Sequence, residues 1–237
     1  MEVQKEIVAE IEGYQKIING ARAVLDNYRP HISINPDWPK VELDHLCGIE
    51  HGFAFKGEFF IEEGRMDLPV LLTPGNFMQG GGLYFTDRNT KRYSGEVPDA
   101  FRLHRGDLVV VMTDLSPMMK ILGMPAIIDD DNFLHNQRIG KVVLKSKDVL
   151  KTFLRYAFLI DSVNGHIKRE ATGSTVRHTS PTRILGVEIP LPPIGAQQAI
   201  VAEIEAEQAL VNANKELITR FEKKIQATLA RVWGEAP

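Results

Sequence analysis

The hexapeptide IVAEIE, residues 7–12, occurs again as residues 200–205, and this repeat decides how the chain is organised. When the sequence is aligned with itself at an offset of 193 positions, nine of 25 residues are identical between residues 4–28 and 197–221. A match of this length is an internal repeat, which indicates two copies of one structural element. The chain therefore carries two similar segments, one near each end of its 237 residues.

Both copies have the apolar spacing of a coiled-coil helix, in which alternate steps of four and three residues form a narrow seam. Pro30 ends the first helix, whereas the second has no such proline and continues to about Trp233. Asn214 is a polar residue within the second seam, a type that often fixes register and partner. The alternative is that both are core helices of one globule. We predict that the helices pair through Ile7, Ile11, Ile18, Leu25, Ile204, Val211, Ile218 and Ile225.

The residues between the repeats differ in character. Short β-rich runs occur at Val70–Leu72, Asp107–Thr113 and Gly140–Leu144, separated by long loops of turn-forming residues, and Val149–Ser162 has helical periodicity. We predict an α+β fold: one globular domain with long loops, flanked by two long coiled-coil-forming helices. The predicted domains are the first helix at 1–30, the α+β domain at 31–189, a proline-rich connector at 190–195 and the second helix at 196–237.

Charge is distributed unevenly along the chain. The net charge is only −3, but residues 135–185 contain ten Lys or Arg against three acids, so this segment is a basic region within an acidic chain. No run of about 18 apolar residues could span a bilayer, and residues 1–30 do not resemble a signal peptide. We therefore expect no membrane association and a cytoplasmic location.

Common catalytic motifs are missing from the sequence. It contains no phosphate-binding G-x-x-x-x-G-K-[ST] loop, no G-x-G-x-x-G turn and no G-x-S-x-G nucleophile elbow. The seven histidines lack zinc-ligand spacing, and Cys47 is the single cysteine, expected to be a small buried apolar residue. We predict no catalytic residue, no metal site and no cofactor. A self-contained DNA-modifying enzyme is an alternative that the missing cofactor loop disfavours.

Recognition of DNA needs cations for phosphates and groups that can pair with base edges, chiefly Arg, Lys, Asn, Gln, Ser and Thr. Three loops supply both: TDRNTKRY at 86–93, HNQRIGK at 135–141 and HIKREATGSTVRH at 166–178. Each of these could also be a solvated loop, but together they favour nucleic acid. The candidate DNA-binding residues are Arg88, Asn89, Lys91, Arg92, Lys120, Asn136, Gln137, Arg138, Lys168, Arg169, Ser174, Thr175, Arg177 and His178.

The arrangement resembles the specificity subunits of type I restriction-modification enzymes, in which a target recognition domain is followed by a helix, then by a second recognition domain and a second, similar helix. Its most specific stretch is GSTVRHTSPTRILGVEIPLPPIGAQQAIV at 173–201, supported by WPKVELDHLCGIEHGFAFK at 38–56, RGDLVVVMTD at 105–114 and LHNQRIGKV at 134–142. Family helices commonly begin with acids before the glutamine that corresponds to Gln197. Gly195 and Ala196 occupy those places here, so we expect a less well capped helix start.

The resemblance implies a non-catalytic subunit that reads double-stranded DNA, with its helices packed antiparallel. Its implied partners are modification subunits, which methylate adenine, and a motor-nuclease restriction subunit. In the repeat alignment Met1 falls opposite Ile194, so the chain resembles half of such a subunit with one recognition domain. We therefore expect a homodimer on a bipartite palindromic target. The alternative is a truncated fragment or decoy that occupies methyltransferase subunits through its helices without productive DNA targeting.

Overall fold

The structure is a computed structural model that describes residues 2–61 and 65–233. It divides into two compact units, one formed by α1 and most of α6, and the other spanning His31–Val201. The helices are α1 (Glu2–Asn27), α2 (Leu43–Leu46), α3 (Lys151–Ala157), α4 (Asp161–Arg169), α5 (Pro181–Leu185) and α6 (Ile194–Trp233). The strands are β1 (Lys40–Glu42), β2 (Cys47–His51), β3 (Phe60–Ile61), β4 (Val70–Leu72), β5 (Arg92–Tyr93), β6 (Arg102–Leu103), β7 (Leu108–Val111), β8 (Thr113–Asp114), β9 (Pro125–Ile127), β10 (Phe133–His135), β11 (Ile139–Leu144), β12 (Arg177–His178) and β13 (Glu188–Pro190).

Burial in the helical unit follows the heptad spacing. Ile18 is 1% exposed in α1, whereas its neighbour Ile17 is 41% exposed. In α6 the buried or half-buried positions recur every seven residues from Ile204, but Val232 is 46% exposed near the end of the helix. The less exposed apolar residues of α1 are Ile7, Ile11, Tyr14, Ile18, Ala21 and Leu25, with Tyr28 directly after the helix, and those of the α6 row are Ile204, Val211, Ile218 and Ile225.

Side chains of α1 and α6 make specific contacts. The Tyr14 and Phe221 rings lie 5.4 Å apart, and the Arg22 guanidinium lies 2.7 Å from the Glu222 carboxylate. Closer to the start of α1, the Glu10 carboxylate accepts a hydrogen bond from Arg231. The contacts between the two helices thus include one aromatic pair and two ion pairs.

Two main sheets form the unit at His31–Val201. The five-stranded sheet has the order β3-β5-β4-β10-β6, and the four-stranded sheet has the order β2-β11-β7-β9. All neighbouring pairs run antiparallel except β4 and β10, which are parallel. Two further pairs, β1 with β13 and β8 with β12, are also antiparallel. The mixture of short helices and mostly antiparallel sheets is an α+β architecture, in agreement with the sequence prediction at that level.

Alternation along the strands divides the core. Leu72 and Phe133 of the five-stranded sheet pack in one cluster with Val109, Val111 and Ile139 of the four-stranded sheet. Leu71 and Leu134 are the strand neighbours of Leu72 and Phe133, and they pack in a second cluster that is rich in aromatic rings. Because successive side chains of a strand point to opposite faces, both faces of the five-stranded sheet are covered by apolar groups.

The second long helix begins before the predicted position. Strand β13 occupies Glu188–Pro190, and α6 already starts at Ile194, three residues ahead of Gln197. Gln197 is fully buried, and its amide donates to the carbonyls of Asp148 and Pro192 and accepts from the backbone N–H of Leu150. The first turn of α6 is therefore held by a side chain inside it.

The helical periodicity at 149–162 corresponds to two helices. The N–H groups of Leu159 and Ile160 bond to carbonyls three residues back, so α3 tightens and ends before α4 begins at Asp161. The sequence therefore indicated the helical character of this segment but not the break between the two helices. Within the described ranges, no helix is both long and apolar enough to cross a membrane.

Candidate nucleic-acid interface

One residue, Met112, links two of the three loops singled out in the sequence. Its N–H donates to the carbonyl of Arg138, and its own carbonyl accepts from the N–H of Thr179, both at 2.9 Å. Arg138 lies in the turn between β10 and β11, and Thr179 directly follows β12. Two polar loops about 40 residues apart in sequence are therefore joined across one buried backbone segment.

The turn at 136–138, which we call the HNQR turn with His135 at its base, is tightly held. The Asn136 side-chain oxygen accepts from the N–H of Arg138 at 3.0 Å, and the Asn136 carbonyl accepts from the N–H of Ile139. Gln137 donates its N–H to the carbonyl of Phe53. The Asn136 amide oxygen is thus occupied by the turn, while the side chains of Gln137 and Arg138 are exposed at its tip.

His135 anchors this turn from below. It is 2% exposed, and its Nε2 lies 2.8 Å from the carbonyl oxygen of Ile139. Because a carbonyl only accepts, Nε2–H is the donor in this contact. Burial lowers the pKa of His135 below its ordinary value of 6.5, so the ring is neutral in the folded protein at neutral pH.

Because Gly52 has no side chain, the chain directly after β2 can lie against the HNQR turn. A Cβ atom added at Gly52 would lie 2.3 Å from the carbonyl oxygen of Asn136, closer than atoms can pack. The adjacent residue, Phe53, makes a parallel bridge with Asn136. A residue with a side chain at position 52 would therefore push the HNQR turn out of place.

The loop at 171–178 is closed by its own arginine. The Arg177 guanidinium donates to the carbonyls of Gly173 at 2.7 Å and Ala171 at 3.2 Å. Gly173 has φ +90°, a left-handed conformation that favours glycine. Ser174 and Thr175 are exposed at the tip of the loop. Arg177 thus shapes the loop, and the two small polar residues at its tip face solvent.

His178 connects this loop to β8. Its Nδ1 lies 3.0 Å from the hydroxyl oxygen of Thr113, and the two residues are directly opposite in the β8–β12 pair. Thr113 is 5% exposed, whereas His178 is exposed. The hydroxyl therefore orients an imidazole ring that remains open to solvent.

The third loop, at 86–93, has much of its polar capacity already used. The Asn89 amide oxygen accepts from the backbone N–H and the hydroxyl of Thr86, and its nitrogen donates to the carbonyls of Gly75 and Tyr84. The Arg92 guanidinium bonds to the carbonyls of Met66 and Leu68. Arg88 is exposed and Lys91 is half-buried. Asn89 and Arg92 thus hold the loop, and Arg88 projects from it.

Sheet topology places this third loop and the HNQR turn at one edge. The parallel strands β4 and β10 both end there, and β5 begins there because it runs antiparallel to β4. The HNQR turn follows β10, and residues 86–91 precede β5. The carboxyl ends of parallel strands meet at the same edge of a sheet, and such edges commonly carry binding loops.

The remaining candidate cations are Lys120, Lys168 and Arg169. Lys120 and Arg169 are exposed. Burial lowers the pKa of Lys168, and the charges of Asp114 and Asp161 act in the opposite direction. Lys168 is half-buried, whereas the other two cations are accessible.

Several cations of the basic segment serve the fold instead. Lys141 pairs with Asp107 at 2.9 Å, Lys145 pairs with Asp44 at 2.7 Å, and Lys151 donates to the carbonyl of Gly106. None of these was among the candidate DNA-binding residues. The exposed candidates left for contact with an anionic ligand are Arg88, Lys120, Gln137, Arg138, Arg169, Ser174, Thr175 and His178.

Sequence reasoning missed the supporting residues. Met112, Thr113 and Asp114 stand in the quoted block RGDLVVVMTD, but no spacing rule shows that they lie between two distant loops. Their signal was the change from an apolar run to the polar pair Thr-Asp. Across residues 2–61 and 65–233, no group of three or more His, Cys, Asp or Glu residues is arranged to hold a metal ion.

Comparison with known proteins gives a consistent match. The family model described as type I restriction modification DNA specificity domain matches residues 35–223. The chain is 24% identical over 203 residues to the EcoBI type I restriction enzyme specificity subunit of Escherichia coli, and 27% identical over 203 residues to the MjaVIII specificity subunit of Methanocaldococcus jannaschii. Each alignment covers 83% of this chain but only 39% and 46% of those two proteins, so the chain spans less than half of their length.

Solved structures show the same fold at low sequence identity. The S subunit of a type I restriction-modification system from M. genitalium matches 76% of this chain and 41% of its own, with a TM-score of 0.51 and 20% identity. The HsdS subunit from Thermoanaerobacter tengcongensis matches 99% of this chain and 55% of its own, with a TM-score of 0.53 and 18% identity. A chain from a structure describing complex assembly and conformational transition of the type I R-M system matches 99% and 60%, with a TM-score of 0.55 and 18% identity.

Proposed function

Because the chain belongs to the family of type I restriction-modification DNA specificity domains, we propose that it is a non-catalytic subunit that selects the DNA sequence on which a restriction-modification complex acts. The family match confirms the resemblance inferred from the sequence. Recognition of DNA by this chain is the proposed function. The proposed location of this recognition is the cytoplasm.

The observation that carries the proposal is the double hydrogen bond of Met112 to Arg138 and Thr179. It brings together two turns whose tips expose an amide, a guanidinium, an imidazole and two hydroxyl groups. These are the groups that pair with base edges and phosphates. The HNQR turn and the loop at 171–178 are therefore the proposed reading surface, with Arg88, Lys120 and Arg169 as phosphate contacts.

The domain division belongs to the same proposal. The target recognition domain extends over 31–189, the connector over 190–195, and the two conserved helices over 1–30 and 196–237. We propose that the helices pack antiparallel, which is supported by the bond from Tyr28, just after α1, to Glu207 and by the bond from Arg231 to Glu10 near the start of α1. The paired helices set the distance to a second recognition domain.

The proposed partners come from the resemblance. Modification subunits that methylate adenine dock on the helices, and a motor-nuclease restriction subunit joins for cleavage. The chain itself needs no cofactor for recognition, because shape and hydrogen bonding do the reading. We also propose a homodimer on a bipartite target, in which the two-fold axis of two identical chains imposes palindromic half-sites.

Methylome sequencing of cells with and without this gene tests the specificity role. An adenine-methylation motif that disappears with the gene is the expected result. Unchanged motifs would refute the role and would instead fit the alternative, a fragment that occupies methyltransferase subunits without directing them to DNA.

Sedimentation of the purified chain with and without a duplex carrying that motif tests the dimer separately. Two chains per duplex are expected. A monomer that protects both halves of the target would exclude the homodimer and leave the specificity role intact.

A further inference from the structure

The loop at 115–121, between β8 and β9, exposes large apolar side chains next to the proposed reading surface. Leu115 is 58% exposed and Met118 is 69% exposed, with Pro117 between them. Exposed apolar groups of this size cost solvation free energy and indicate contact with something else when they stand together.

A buried carboxylate holds this loop in shape. Asp114 accepts hydrogen bonds from the N–H of Ser116 at 2.8 Å and from the N–H of Ile121 at 2.9 Å, which clamps both ends of the loop. Inside it, the N–H of Met118 donates to the Ser116 hydroxyl. Met119 has φ +49°, an uncommon conformation for a residue with a side chain, and the surrounding hydrogen bonds maintain it. The apolar tips are thus presented by a defined loop.

The surroundings of the loop are suited to a polyanion. Strand β8, from which the loop departs, pairs with β12, which carries Arg177 and His178. Lys120 is exposed within the loop itself. The Asp114 side chain is buried and accepts hydrogen bonds from two backbone N–H groups, so its carboxylate does not face the DNA.

We infer that Leu115 and Met118 form an apolar wedge that enters a groove of the DNA and partly unstacks one base step. This inference rests on the proposed function. Leucine, methionine and proline are among the residues that proteins insert between base pairs, and the bent duplex then contacts more protein surface. Since base steps differ in how easily they unstack, the wedge selects for a deformable step that no side chain reads by hydrogen bonds.

A fluorescence experiment on the full chain tests the wedge. The chain first selects duplexes from a random library, and the selected duplex is then prepared with 2-aminopurine at each position in turn. Fluorescence is expected to rise at one base step on binding of the wild-type chain, because unstacking relieves quenching. The L115A/M118A variant is expected to lose this rise and to bind the selected duplex about tenfold more weakly. Binding of random-sequence duplex should change by less than about threefold, since phosphate contacts dominate it.

Controls separate the wedge from general damage. Ile34, another exposed apolar residue of the same unit at 46% exposure, provides the matched variant I34A, which should behave as wild type. The M118L variant keeps an apolar tip and should retain most of the fluorescence rise. Unfolding midpoints should be equal in all variants, because the replaced side chains are exposed.

The outcomes distinguish the wedge from the proposed function. Tight selection of a duplex by the wild-type chain without any fluorescence rise would overturn the wedge alone. Unchanged DNA binding by L115A/M118A together with loss of copurification with modification subunits would identify a protein contact and also overturn it. Failure of the wild-type chain to select any duplex would overturn the proposed function and the wedge with it.

Discussion

The guanidinium of Arg177 donates a hydrogen bond of 2.7 Å to the carbonyl of Gly173, four residues earlier in the chain. A second bond from the same side chain reaches Ala171. The sequence predicts that Arg177 contacts DNA, but in the structure its guanidinium is hydrogen-bonded to its own loop. Its effect on DNA binding should operate through the order of that loop, which carries Ser174 and Thr175 at its tip.

Replacement of Arg177 by Ala is expected to loosen residues 171–176. Hydrogen bonds from a charged donor contribute about 1.5–3 kcal/mol each, and partial exposure places this pair near the low end. Hydrogen–deuterium exchange should show faster exchange in the variant at the amides of Thr172 and His178, which bond to each other's carbonyls, and DNA affinity should fall with it. Equal exchange in both proteins would contradict the bracing role.

Arg138 provides the contrasting case, because its side chain is exposed at the tip of the HNQR turn. Arg138→Ala should weaken binding to the selected duplex by about 1–3 kcal/mol if the guanidinium pairs with a guanine. Its unfolding midpoint should match that of the wild type. A calorimetric titration of both proteins measures the difference, and unchanged affinity and selectivity would remove Arg138 from the reading surface.

The stability of the HNQR turn should depend on pH through His135. Burial lowers the pKa of this imidazole below 6.5 in the folded state, whereas the unfolded chain titrates near 6.5. Above that pH both states are neutral and the full stability is present. Below it the unfolded state binds the proton first, so the free energy of unfolding falls as pH decreases.

Denaturant unfolding at a series of pH values checks this dependence against the variant His135→Gln. Glutamine keeps a donor that can reach the Ile139 carbonyl but does not titrate. The wild type should lose more stability than the variant between neutral pH and about pH 5, a range that brackets the ordinary histidine pKa. Parallel curves would show that other groups cause the acid sensitivity.

The heptad positions were accessible from the sequence because their signal is local. Spacing of four and three residues predicts a seam whatever the partner. The residues predicted in α1, Ile7, Ile11, Ile18 and Leu25, are buried or half-buried, and their pairing with α6 stays a prediction. The buried Cys47 was predicted on the same kind of ground, its residue type, and this prediction is confirmed. Val232 lies in the same seven-residue row of α6 but is 46% exposed. Heptad spacing alone does not predict where the pairing of two helices ends.

The contacts of the polar loop residues were harder to predict from the sequence. Asn89, Arg92 and Arg177 have the composition of base readers, but their partners are backbone carbonyls whose positions depend on the folded chain. Side-chain type shows what a residue can bind, whereas tertiary structure determines which partner reaches it first. Their contact with DNA stays a prediction, and the exposed neighbours Arg88, Gln137 and Ser174 are better placed to make it.

The helical seam offers a pair of adjacent isoleucines with opposite environments. Ile18 is 1% exposed and Ile17 is 41% exposed. Ile18→Ala should destabilise the chain by about 2–4 kcal/mol, since it removes buried methyl groups and leaves a cavity. Ile17→Ala should cost less than about 1 kcal/mol. Equal losses in thermal unfolding, followed by circular dichroism, would contradict the assigned seam.

Gln197 provides a test of how the first turn of α6 is held within the unit at His31–Val201. Its buried amide satisfies the carbonyls of Asp148 and Pro192 and the N–H of Leu150. Gln197→Ala should lower the free energy of unfolding by about 2–4 kcal/mol, because each buried group left without a partner costs about 1–3 kcal/mol and water can replace some of the lost bonds.

The neighbouring residue Gln198 is exposed and serves as the matched control. Gln198→Ala should change the free energy of unfolding by less than about 0.5 kcal/mol, as is usual for surface substitutions. Denaturant unfolding of the three proteins under one condition compares them directly. If the two variants are equally stable, the hydrogen bonds of Gln197 do not hold the start of α6. If only Gln197→Ala is destabilised, those hydrogen bonds hold it.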